Sequence, residues 1–98
     1  MILAKYEKQP AEVKDYDIDY SEWLGPVADT VASTTAIVTS VTEAVPTLEI
    51  DSIMETSTTV KLWVSGGTGG VSYKVTVQMT TTGGRLDESE LVFKVKDR

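Results

Sequence analysis

The chain contains neither cysteine nor histidine. Without cysteine there is no disulfide to brace a small fold, no thiolate ligand for a metal and no thiol nucleophile. Without histidine the usual proton shuttle near neutral pH and the commonest metal ligand are missing. Any enzyme made from these residues would have to work from carboxylates, lysines and hydroxyls. No segment approaches the roughly 18 apolar residues that a membrane helix needs, and Met1–Tyr6, interrupted by Lys5, holds no apolar run of signal-peptide length. A chain of 98 residues has room for one modest core and is short for two domains.

What is present is acidic and unevenly spread. The net charge is −6: residues 1–60 carry eleven acids against Lys5, Lys8 and Lys14, a net −8, whereas residues 61–98 carry six bases against four acids, a net +2. This balance argues against a broad nucleic-acid footprint and leaves a dipolar surface on which copies or partners can stack.

The hydrophobic pattern has the period of strands. Tyr16, Ile18 and Tyr20 share one parity against Asp15, Asp17 and Asp19, and the Gly25-Pro26 pair after Trp23-Leu24 predicts a turn, with both large side chains closing one end of the core. Residues 27–45 are rich in Ser, Thr and Val, which favours short strands near 30–38 and 47–53 with a turn at 42–46 over a helix from Val27 to Ala36. Val60, Leu62 and Val64, then Tyr73, Val75 and Val77, alternate on either side of Ser65–Gly70 and predict a hairpin with a flexible glycine tip. After a Thr82-Gly83-Gly84 turn, Leu91, Phe93 and Val95 form a last inward row. Six or seven short strands without a secure helix predict an all-β, immunoglobulin-like antiparallel sandwich, with residues 1–10 as an extended arm or first strand and 11–98 as one domain.

No candidate catalytic, cofactor or metal residues emerge. Asp15, Asp17 and Asp19 lie about 6.5–7 Å apart along one strand face, wider than a compact calcium cage, and read as a wet face. Gly66, Gly67, Gly69 and Gly70 lead into a strand, not the Lys-Ser/Thr or helix of a phosphate loop. Glu88 or Glu90 meeting Asp15 or Asp17 in space would give a carboxylate pair, but no cleft is marked for it. Interface candidates remain. Trp63 has the parity opposite to Val60, Leu62 and Val64, which directs it outward unless a bulge or residues 21–45 cover it. Ile2, Leu3 and Tyr6 sit in an arm that can add to an open sheet edge, and the glycine tip at Gly66, Gly67, Gly69 and Gly70 is a third contact candidate.

Lys8-Gln9-Pro10, Asp17–Ser21, Trp23-Leu24, Asp29–Ser33, Val60–Gly67, Tyr73–Val77 and Thr82–Arg85, in this order, resemble the small structural proteins of tailed bacteriophages called fiber-tail adaptors, over about residues 5–96. The resemblance implies an immunoglobulin-like virion protein of the tail or a connector, assembled in the host cytoplasm and joined to other phage structural proteins as a homo-oligomer or ring. It implies no cofactor, no direct nucleic-acid contact and no membrane. A capsid decoration or head-tail joining protein, and a stand-alone module binding carbohydrate or a host surface, are the competing readings.

Overall fold

In a computed structural model that describes residues 2–96, with side chains from Ala4 onward, the chain forms seven strands. They are β1 (Ile2–Lys8), β2 (Lys14–Asp19), β3 (Val31–Thr39), β4 (Leu48–Glu55), β5 (Thr59–Gly66), β6 (Ser72–Thr81) and β7 (Leu86–Val95). One sheet has the order β1-β7-β6-β3 and the other β2-β5-β4, so the protein is an all-β sandwich of four strands over three.

The core follows the alternation in the sequence. Val60, Leu62 and Val64 on β5, Tyr73, Val75 and Val77 on β6, and Leu91, Phe93 and Val95 on β7 are all at most 1% exposed. Each such burial contributes roughly 1.5–3 kcal/mol. On β2, Ile18 turns inward while Asp15, Asp17 and Asp19 turn out. The side where β1 and β2 approach is closed by three rings: Tyr6 lies 4.5 Å from Tyr16 and 5.3 Å from Phe93, and Tyr16 meets Phe93 edge-on at 4.9 Å.

Four expectations are corrected. The pairing is not antiparallel throughout, because β1 runs parallel to β7. The chain leaves β1 through the Gln9–Val13 turn and enters the opposite sheet, so β1 finds its partner far away in sequence. Nor do β5 and β6 form a hairpin: they belong to facing sheets, and the glycine segment is the corner between layers. That corner is tightly packed at its start. A Cβ on Gly66 (φ +74°) would lie 2.5 Å from the Thr47 carbonyl oxygen, and one on Gly67 (φ +96°) would lie 2.7 Å from a Val95 methyl. Only glycine fits both the left-handed backbone and the space.

The third correction is a one-turn helix, α1 (Ser21–Leu24), in a chain expected to have no secure helix, directly ahead of the expected turn at Gly25-Pro26; the Tyr20 carbonyl accepts from the amides of Trp23 and Leu24. The fourth follows from it. Leu24 is fully buried, but a single helical turn cannot direct its neighbour the same way, and Trp23 stays 39% exposed. In the difficult central region, β3 and β4 occupy Val31–Thr39 and Leu48–Glu55, as the strand reading anticipates.

Candidate functional site

The connections gather at two ends of a body with extents of 43 × 21 × 19 Å. At the first end lie the turn after β1, the loop between β3 and β4, and the β5–β6 corner. Lys8 is only 2% exposed, and its Nζ donates to the carbonyls of Gly66 (2.6 Å), Gln9 (2.8 Å) and, at the limit, Pro10 (3.5 Å). Burial pushes its pKa below the usual lysine value. These carbonyls take up the donors of an ammonium that has left water, and they tie the end of β1 to the end of β5.

The same end holds Glu43, which accepts hydrogen bonds from the Tyr73 hydroxyl, from Thr68 Oγ1 (2.7 Å) and from the Thr47 amide (3.1 Å). Its carboxyl is held down at about 2, mostly by the Tyr73 hydroxyl and then by Thr68. The Tyr73 hydroxyl in turn accepts from the Thr68 amide at 2.9 Å. One carboxylate and one phenol therefore fasten the β3–β4 loop onto the corner.

At the second end, Asp29 does the equivalent. Its Oδ1 accepts from the amides of Thr30 and Gly83, each at 2.9 Å, and its Oδ2 from Arg85 Nε at 3.2 Å. The carboxyl is held at about 2, with the Thr81 hydroxyl the largest cause. The Thr30 and Thr82 hydroxyls lie 2.6 Å apart, and the Arg85 guanidinium lies 4.2 Å above the Trp23 ring. Trp23, Val27 at 60% exposure and Leu86 at 62% leave this end partly apolar.

The segments that carry the family resemblance thus meet in space. Trp23, Asp29 and the Thr82–Arg85 turn converge at the second end; Lys8 and Gly66 join at the first. Lys8, Glu43, Asp29 and Arg85 could not be singled out from local pattern, because their long-range partners lie between 25 and 58 residues away. The only signal for them is that both partners of the Asp29–Arg85 and Lys8–Gly66 contacts fall inside resembling segments.

The residues singled out from sequence are dispersed. Tyr6 spends its ring on Tyr16 and Phe93, and the side chains of Ile2 and Leu3 lie outside the described residues. Trp63 is half-buried on the outer face of β5, beside Asp15 and Ser52 in register. Gly66 and Gly67 are packed into the corner, whereas Gly69 and Gly70 are exposed. Asp15 and Asp17 face solvent with the Lys61 ammonium 3.3 and 3.9 Å away. Glu88 and Glu90 are on the other sheet, engaged with Gln78 and Lys74. Among the described residues no cluster of three or more acids could hold a metal ion.

The family Gp77, described as Podophage GP4 fiber-tail adaptor protein gp77, matches residues 8–94. No curated protein matches the chain. The matched span runs from Lys8 through all but the first strand and takes in both tied ends, so the chain belongs to the podophage fiber-tail adaptor family and is a non-enzymatic structural protein of the phage tail.

Proposed function

We propose that this protein joins the phage tail to its fibers as a small stiff spacer, one end of the sandwich facing each neighbour. The family match over residues 8–94 carries the reading. An adaptor needs two separate surfaces, and the two tied ends lie apart on a body whose longest extent is 43 Å. The second end offers Trp23 and Arg85, residue types favoured as interface anchors. The first offers the exposed Gly69-Gly70 tip; between the ends lie the open β1 edge, with Ile2, Leu3 and Tyr6, and Trp63 on the neighbouring sheet. Residues 1–10 serve as an extended arm or first strand of the single domain formed with residues 11–98, β1 lying along the edge of the four-stranded sheet. Copies associate as a homo-oligomer or ring during assembly in the host cytoplasm, without direct contact with nucleic acid or membrane.

The fold behind this spacer is immunoglobulin-like. Lettered A to G in chain order, the strands read A-G-F-C over B-E-D, which is the seven-strand pattern with the first strand transferred to the edge beside G. The Tyr73 hydroxyl, near the start of the sixth strand and bonded back to the Thr68 amide, has the geometry of a tyrosine corner.

The test is made on purified particles. Trp23→Ala and Trp63→Ala are scored for the presence of this protein and of fibers, with thermal unfolding of the free protein as the folding control. The expected result is that Trp23→Ala leaves the free protein folded and yields particles depleted of fibers or of the protein. Wild-type particles that lack the protein but keep their fibers would overturn the reading.

A further inference from the structure

The sandwich exposes four strand edges, on β1, β2, β3 and β4, and an unpaired edge is a template for another chain. Three of them carry the usual protection: Lys5 and Glu7 on β1; Lys14, Asp15, Asp17 and Asp19 on β2; Glu49, Asp51 and Glu55 on β4. β3 carries none. From Thr30 to Thr42 the sequence has no charged residue, no proline and no glycine.

The structure leaves this strand uncovered. No residue of β3 is fully buried, Ile37 is 56% exposed, and Val41 just beyond is completely exposed. An irregularity between Val31 and Ser33 and a bond from the Val31 amide to the Ser57 carbonyl (2.9 Å) occupy only its beginning. From Ser33 to Thr39 the strand pairs with β6 on one side, and alternate residues turn their N–H and C=O groups outward with no partner strand among the described residues.

We propose that β3 is a self-association edge, on which a second copy of this chain pairs its own β3 antiparallel to form a continuous eight-stranded sheet from two four-stranded ones. The occupant follows from charge. A two-fold interface sets a surface against itself. On β2 or β4 that places rows of acids opposite each other, a destabilising arrangement, between chains that already carry −6 each. On β3 it sets hydroxyl and aliphatic side chains against their like, and Ile37 and Val41 leave water. A charge-free edge also offers no electrostatic feature by which a different partner would be selected. The inference rests on the self-association proposed above and gives it a surface; it does not depend on which end meets the fibers.

Sedimentation equilibrium of the full chain over a dilution series tests it, with Thr35→Lys and Ile37→Lys made singly and together. Both positions are exposed, so the substitutions leave the core intact. The wild type is expected to reach twice the chain mass, and the double variant to stay at one chain mass with an unchanged thermal transition. A wild type that is monomeric at every concentration overturns the proposal, as does a dimer that survives both lysines. A larger ring that depends on β1 and ignores the β3 lysines overturns it in favour of head-to-tail pairing. Because these masses are read on free protein, loss of pairing is distinguishable from loss of tail attachment, which is read on particles.

Discussion

The four strands up to Glu55 all lie at sheet edges, whereas the three from Thr59 onward each lie between two neighbours. β5, β6 and β7 supply most of the fully buried apolar side chains, including every one from Val60 to Val95. β1 to β4 supply the open hydrogen-bonding groups and seven of the ten acids that lie on strands. The charge asymmetry of the chain, −8 over residues 1–60 and +2 over 61–98, is close to a division between edge and centre. Central strands must be apolar on the face they share and need no protection; edge strands must be kept from pairing indiscriminately, and charge does this. For a structural protein the division separates what holds it together from what it shows to others. Two carboxylates of the edge half, Asp29 and Glu43, fasten it to Arg85, Gly83, Thr68 and Tyr73 of the central half.

The largest effect should separate the halves outright. Val75→Asp puts a carboxylate at a fully buried position of a central strand and is expected to cost about 4 kcal/mol or more, enough to abolish the thermal transition. Ile37→Asp, on an exposed edge, should change monomer stability by no more than about 0.5 kcal/mol. Equal losses in circular-dichroism melts would break the comparison.

Next is the glycine corner that joins the halves of the core. Gly66→Ala combines a left-handed φ with a backbone clash and should cost roughly 1–3 kcal/mol in denaturant titration. Gly70→Ala has φ +87° but open space around it, so only the backbone term remains, about 1 kcal/mol.

Acid should loosen the ties between the halves. Glu43 and Asp29 are lowered from 4.5 and 3.8 to about 2 on folding, so the folded protein binds fewer protons than the unfolded chain in that window. Their contribution is complete above the ordinary values and is lost as pH falls toward 2. Unfolding followed from pH 5 to about 2 should show a shallower loss of stability in Glu43→Gln, and again in Asp29→Asn, than in the wild type. An identical acid slope in all three would remove these carboxylates from the account.

The smallest effect belongs to the acidic stripe. Asp17 is 59% exposed and 3.9 Å from Lys61, and Asp17→Asn should shift stability by less than about 0.5 kcal/mol.

The same division explains what could be read from the sequence. The central strands announce themselves because one face is wholly buried, and Val60/Leu62/Val64, Tyr73/Val75/Val77 and Leu91/Phe93/Val95 alternate without interruption. β3 gives a weak signal because its inward positions, Thr34, Ala36 and Val38, are small and only half-buried. The break at Ser65–Gly70 looks the same whether the chain folds back in one sheet or crosses to the other; β5 and β6 are separated by their lateral partners, not by anything in the turn. The exposure of Trp23 has no local signature, because its partner, Arg85, is remote in sequence. The ties at Lys8, Glu43 and Asp29 are long-range polar contacts, for which hydrophobic periodicity carries no information.

Residue-resolved hydrogen exchange of the free protein over a dilution series tests the division most directly, since it reads each amide's protection against both local and global opening. The account predicts protection at successive residues along β5, β6 and β7, protection at alternate residues along β1, β2 and β4, and an alternating pattern in β3 that fills in as concentration rises. Continuous protection of β2 and β4 equal to that of β6, or central strands that exchange before the edges, would contradict it.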